Sequence, residues 1–238
     1  MKFLHLLIVN SKMKSILIAF FLVFCYGFTW LEPKVTSKDW ILVKNSDDIQ
    51  IYTKEIPGSN LKELKITTKF ETNIDALLTL ITDIPTQPSY IFGCMTATRV
   101  GTSTAYDQFF YQTLYMPWPF TNRDAVCKQA VHPKSRHDDL AINTKNEDGL
   151  VPISSDYQRI HSMNSSWRFI KINEKTTSAE YRLRLNPGGS VPNWLVNMFI
   201  DKGPFKTILN MRKLLKQPKY TNAYVAWLHP TPNKTETP

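Results

Sequence analysis

Residues 186–217 read NPGGSVPNWLVNMFIDKGPFKTILNMRKLLKQ. After a turn-forming start, apolar side chains recur at helical spacing: Val191, Trp194, Leu195 and Met198, then Phe205, Ile208, Leu209 and Leu215. Ser190 is suited to cap the helix, and Pro192 is tolerated in its first turn. Gly203-Pro204 should kink or interrupt it. Gly188-Gly189 permit positive φ and a close turn into its start. This is the one long helix that the sequence offers, and the segments before it read almost entirely as strands.

Working outward, Trp40-Ile-Leu-Val opens the domain, and the turn Asn45-Ser-Asp-Asp48 leads to a strand at Ile49–Thr53. Pro57-Gly-Ser-Asn60 is a hairpin turn before a second alternating run, Leu61–Phe70. The period then changes. Thr72 or Asn73 can cap a helix carrying Ala76, Leu77, Leu80 and Ile81, which Asp83 and Pro85 end. Strand candidates follow at Met95–Thr102, Ala105–Met116, Ala125–Val131, Leu140–Thr144, Ser166–Ile172 and Ser178–Leu185. Their connections are too short for crossover helices, so the sheet should be antiparallel.

An antiparallel sheet of about eight strands needs one face covered. A single long helix cannot fill the concavity of so broad a sheet. The expected result is an α+β fold with an interior hollow, walled by the sheet and roofed by the last helix. From Pro218 the chain is polar and Pro-rich apart from Tyr224-Val-Ala-Trp-Leu228, and 218–238 reads as mostly disordered.

The N-terminal 27 residues carry Lys2, Lys12 and Lys14 and no acid, an apolar run Ile16–Phe24, and small residues at Cys25 and Gly27. This is a signal-peptide pattern, so residues 1–27 are expected to be removed on export. Met13 is an alternative start, and an uncleaved membrane anchor is the alternative reading. The apolar stretch to Trp30 falls short of the roughly 20 residues that span a bilayer. The full chain has 238 residues and a net charge of +9. Its 42% apolar content supplies a core, and its three cysteines exclude a disulfide scaffold. After cleavage only Cys94 and Cys127 remain, in strand-like segments that favour buried free thiols over a disulfide.

Two local patterns point to a family. Met116-Pro-Trp-Pro-Phe-Thr-Asn-Arg-Asp124 resembles the "PWP…RD" turn of START domains, the lipid-transfer domains related to steroidogenic acute regulatory protein. Asn186-Pro-Gly-Gly-Ser-Val-Pro-Asn-Trp194 resembles the entry to their C-terminal helix. The opening from Trp40 to Asp48-Ile-Gln-Ile-Tyr52 is similar too. The resemblance covers about residues 38–217 and implies a helix-grip fold, a curved antiparallel sheet around a C-terminal helix, with one lipid in the enclosed hydrophobic cavity.

The motif residues have expected structural roles. Pro117 and Pro119 take the strand out of its ladder, and Trp118 should pack back on the sheet edge. Arg123 and Asp124 should point to opposite faces, Arg123 as an ion pair or carbonyl clamp. Gly188 and Gly189 should act as hinges with the Gly203-Pro204 break. Comparison with sterol-binding relatives places Phe110 and Gln112 inward, with Leu114 on the same face, and Cys127 and Gln129 inward on the next strand. Trp194 and Met198 should face down from the roof. The ligand-site candidates are therefore Phe110, Gln112, Leu114, Gln129, Trp194 and Met198.

The sequence departs from the family at both of its head-group devices. Gln129 stands where sterol-binding members place an arginine, and Phe110 or Gln112 stands at the acid. The segment Gln87-Pro-Ser-Tyr-Ile91 lacks the Arg and Asp of phosphatidylcholine-transfer members. A neutral cavity suits a weakly polar lipid. No HExxH, GxSxG or phosphate-loop pattern is present, so no enzyme, metal site or cofactor is expected. An aromatase/cyclase-type cavity enzyme is the alternative. The dispersed basic residues argue against nucleic acid. Arg212, Lys213 and Lys216 should form a solvated outer face of the last helix, available for transient membrane-surface contact. A monomer is expected.

Overall fold

The computed structural model describes residues 40–59, 61–104, 106–133, 138–189, 191–192, 195 and 202–229. Residues 1–27, read above as a signal peptide, together with Ser190, Trp194, Met198 and residues 230–238, lie outside the described residues.

The chain opens with three strands, β1 (Ile41–Ser46), β2 (Ile49–Glu55) and β3 (Lys62–Phe70). Helix α1 (Ile74–Thr82), a 3-10 turn (Ile84–Thr86) and the short helix α2 (Gln87–Tyr90) follow. The meander then runs through β4 (Cys94–Arg99), β5 (Asp107–Leu114), β6 (Arg123–Pro133), β7 (Asp139–Asn146), β8 (Gln158–Arg159), β9 (Ser162–Asn173) and β10 (Thr176–Asn186). Helices α3 (Gly203–Leu214) and α4 (Pro218–Thr221) and a 3-10 turn (Ala226–Leu228) end the described chain.

The strands form one ten-stranded sheet in the order β1-β2-β3-β10-β9-β7-β6-β5-β4. Every pairing along this path is antiparallel. The exception to the sequence expectation is the two-residue β8, which runs parallel to the start of β6. The β1–β2 turn places both Asp47 and Asp48 at positive φ, the conformation that a tight two-residue hairpin requires.

Asn73 caps α1 as its sequence predicts, its Oδ1 accepting from the Ala76 N–H at 2.9 Å. The helix buries Ile74, Ala76, Leu77, Leu78, Leu80 and Ile81, more than one stripe. The reason is cover from two sides. The sheet contributes Ile49, Ile51, Leu140 and Phe169 to the same core, and the C-terminal segment adds Tyr220 and Leu228. Ile208, Met211 and Leu215 bring the last helix into that core.

The expectation of disorder from 218 onward is therefore corrected for 218–229. The Val225 N–H donates to Asp75 Oδ1 at 2.7 Å, and His229 Nε2 lies 2.9 Å from the same oxygen. Trp227 packs against Tyr106 with ring centroids 5.3 Å apart. A polar, Pro-rich composition hid a segment whose Tyr220, Val225, Trp227 and Leu228 pack onto the core.

Asp83 is the polar anchor of this segment. It accepts from Lys219 Nζ, from the Tyr220 hydroxyl at 3.1 Å and from Thr86 Oγ1 at 2.6 Å. Burial alone would raise its pKa. The donors outweigh burial and hold the carboxyl below its ordinary value. The resulting stability is present above the unfolded pKa, about 3.9, and is lost as pH falls through the lower folded value. Thermal unfolding followed from pH 6 to pH 3 should therefore show a loss that begins near pH 4 and is smaller in Asp83→Ala. At pH 7 that variant should lose about 1–3 kcal/mol and be cut by protease within 218–229. Unchanged cleavage there would disprove the anchoring role.

Arg212 also departs from expectation. It does not sit on a solvated face but pins α3 to the β1–β2 and β3 ends. Its Nη1 donates to the Asp47 carbonyl at 2.6 Å, and its Nη2 to Thr68 Oγ1 at 2.9 Å and the Lys69 carbonyl at 3.1 Å. Lys213 and Lys216 are exposed as expected.

Candidate functional site

A cavity of about 240 Å³ lies between the sheet and α3. Strand periodicity builds its floor, because successive side chains alternate between the two faces. Leu64 and Ile66 come from β3, and Phe110, Gln112 and Leu114 from β5. β9 supplies Met163, Ser165 and Trp167, and β10 supplies Tyr181, Leu183 and Leu185. The roof includes Val191, Gly203, Pro204, Thr207 and Ile208, and one side is formed by Gln87, Tyr90, Ile91 and Phe92.

Register gives the floor a pattern. Leu64 pairs with Leu183, Leu183 with Ser165, Ser165 with Thr144, Thr144 with Gln129, and Gln129 with Gln108. One row across five strand boundaries thus runs from aliphatic to polar. At its polar end, Gln108 Nε2 donates to Gln129 Oε1 at 2.6 Å and to the Thr82 carbonyl at 3.1 Å. Gln129, Thr144 and Ser165 border the cavity.

The polar side chains here are neutral. Burial pushes the Tyr181 phenol up to about 12 and raises that of Tyr90 further. Among the described residues, Arg123 is the buried charged group that borders the cavity, and Lys62 borders it from an exposed position. The guanidinium is committed to carbonyls. Nε donates to Pro187 at 3.1 Å, Nη2 to Gly188 at 3.1 Å, and Nη1 to Thr121. It is the carbonyl clamp read from the sequence, and desolvation lowers its pKa from the ordinary value. Gly188 and Gly189 have φ of +70° and +66°, as their place in the turn requires.

Asp124 points to the opposite face, as alternation demands. There it receives a bidentate hydrogen bond from Arg159, Nε to Oδ1 at 3.0 Å and Nη2 to Oδ2 at 2.9 Å. The Tyr111 hydroxyl adds a third bond at 3.1 Å. Burial and the neighbouring Asp124 charge push that phenol up to about 12. Arg159 was invisible as a partner because it sits on β8, which has no strand pattern of its own.

Phe110, Gln112, Leu114 and Gln129 therefore border the cavity, while Trp194 and Met198 lie outside the described residues. Cys127 is inward but is not among the residues that border the hollow. It packs with Phe110, Ala97 and Ile160 in a separate small cluster. Both Cys94 and Cys127 are buried free thiols, pushed up to about 12 by burial. Trp118 corrects its expectation, being 90% exposed instead of packed on the sheet edge. The Phe120 N–H donates to the Pro117 carbonyl at 3.0 Å, closing a turn with Trp118 near its apex.

The sequence reading missed Thr144, Ser165, Tyr181, Leu183, Gln87 and Tyr90. The alternation along β9 and β10 was present in the sequence, but which face was inward depended on register across the sheet. Among the described residues no group of three or more His, Cys, Asp or Glu side chains could hold a metal ion. No helix among them is long and apolar enough to cross a membrane.

No family model matches the chain. The uncharacterized protein PA1579 of Pseudomonas aeruginosa is 25% identical over 176 residues, spanning 74% of this chain and 86% of that protein. Among solved structures, a STAR-related lipid transfer protein fragment from Xanthomonas axonopodis superposes with a TM-score of 0.68 at 22% identity. It covers 75% of this chain and 99% of that one. Human STARD10 gives a TM-score of 0.67 at 19% identity over 77% of this chain and 76% of that one. Human StAR-related lipid transfer protein 5 gives 0.65 at 11% identity over 88% and 97%. The fold is that of START domains, the helix-grip architecture expected from the sequence.

Proposed function

We propose that this chain, built on the START fold, binds one single-chain or compact lipid in the hollow beneath α3. The observation that carries the reading is the cavity itself, about 240 Å³ with a mainly apolar wall and an uncharged polar row on its floor. That volume lies just under the roughly 300–1,000 Å³ of ordinary small-molecule sites. One acyl chain or small ring system fits with modest movement of the wall, whereas the two chains of a phospholipid require the roof to be displaced. Burial of each methylene contributes about 0.8 kcal/mol, so ten of them give about 8 kcal/mol before ordering costs.

The likeness in fold to lipid transfer proteins supports the binding role. A binder and not a catalyst is favoured because the inner polar groups are neutral amides, hydroxyls and phenols and Arg123 is already committed. Release requires motion of the roof, for which the Gly188-Gly189 turn is the hinge. The exposed Lys213 on α3 and Lys216 just past its end support a brief contact with an anionic membrane surface. The N-terminal pattern supports export, and the protein is read as a monomer.

Native mass spectrometry of the protein purified from its own host, with extraction and identification of the lipid, tests the reading. A bound species carrying one hydrocarbon chain or ring system is expected. Protein that arrives empty and takes up no single-chain lipid from vesicles would overturn it.

A further inference from the structure

Gln87 opens α2 and borders the cavity, yet only 3% of the residue is exposed and its Oε1 has no hydrogen-bond partner. Buried polar atoms are nearly always partnered, so an orphan calls for a physical reason. Only one other buried side-chain atom among the described residues is in this position, Asn146 Oδ1. Its side chain is anchored through Nδ2, which donates to the Ile160 carbonyl at 2.7 Å, and Asn146 is not among the residues that border the cavity.

Gln87 is not loosely placed. The segment after it is tied to the roof helix, the Phe92 N–H donating to Thr207 Oγ1 at 3.0 Å and Asn210 Nδ2 to the Tyr90 carbonyl at 3.4 Å. The α2 backbone is thus fixed, while the last torsion of a glutamine has a broad, shallow preference. The amide can turn its oxygen toward a guest without moving the helix. An apolar residue would suit the empty protein better at this position, which points to a role in the occupied one.

We propose that Gln87 receives a hydrogen bond from the ligand, so that the cavity selects a neutral lipid bearing a donor, a hydroxyl or an amide N–H. This rests on the lipid-binding reading above and sharpens it. An ester or ether of the same length accepts but cannot donate, so it leaves the oxygen unpaired. A carboxylate brings a charge beside an oxygen that cannot donate to it.

The probes are 1-dodecanol and dodecyl methyl ether, titrated into the full chain and into Gln87→Leu. The wild type should bind the alcohol about five- to tenfold more tightly, the scale of one net hydrogen bond. In Gln87→Leu that preference should fall to about one, while the melting temperature of the empty protein rises by a few degrees. Gln87→Met, unbranched like glutamine, is measured alongside and should behave as the leucine variant does. A wild type that binds both probes equally, or variants that keep the preference, overturn this assignment and leave the lipid reading standing. A wild type that binds neither probe overturns both. A lower melting temperature in both variants would mean that the amide is already satisfied in the empty protein, and would also overturn it.

Discussion

Leu183→Trp is expected to abolish lipid uptake while leaving the fold intact. Leu183 is half-buried on β10, borders the cavity, and lies opposite Ser165 on β9 and Leu64 on β3. The small Ser165 side chain leaves an indole room to lie along the floor. A ring system of that size takes much of a hollow of about 240 Å³. Overpacking costs about 1–3 kcal/mol in a filled core and less where space already exists. The melting temperature should therefore move little, while uptake of a single-chain probe from vesicles should fall by at least about thirtyfold. Undiminished uptake with an unchanged circular dichroism spectrum would mean that the ligand does not lie in this cavity.

Asp124→Ala should produce the largest loss of stability of any single change in the sheet. The two partners are nearly inaccessible, Asp124 at 1% and Arg159 at 4% exposure. Removing the carboxylate strands a guanidinium that retains only the Val151 and Pro152 carbonyls, at 3.2 and 3.0 Å. Breaking one side of a buried pair costs about 3–5 kcal/mol, a large part of the roughly 5–15 kcal/mol that holds a domain together. Urea unfolding should show the midpoint falling accordingly. The double variant Asp124→Ala with Arg159→Met should recover part of the loss, because no buried charge is then left unpaired. A single variant within about 1 kcal/mol of wild type would contradict the assignment.

Much of this architecture was legible beforehand. Period-two runs separated by Gly, Asn and Asp turns identified eight of the ten strands, and the spacing made the sheet antiparallel. Asn73, Asp83 and Pro85 bounded α1 correctly. What escaped had a common cause. β8 is too short to have a period, so the Arg159 partner of Asp124 was hidden. The inner faces of β7, β9 and β10 are set by pairing across the sheet, a long-range property that no local window contains. Phe110, Gln112, Leu114 and Gln129 were found because β5 was placed by resemblance, whereas Thr144 and Ser165, in the same cross-strand row as Gln129, were not. Trp118 was misread because its flanking prolines remove it from the ladder and also turn it outward. Gln87 was noticed only for its lack of charge, and the want of a partner for its oxygen is visible only in three dimensions.

The stretch from Pro218 to His229 bears on how the protein is handled in the laboratory. A chain cut after Gln217, where the last long helix gives a natural stopping point, would lose Tyr220 and Leu228 together with the groups that meet Asp75 and Asp83. The outer flank of α1 would then be bare hydrocarbon beside the unanswered Asp75 carboxylate and an Asp83 that keeps only its Thr86 bond. Such a shortened version should be sticky and poorly soluble for reasons unrelated to its cargo, and expression trials are better designed to end beyond residue 229.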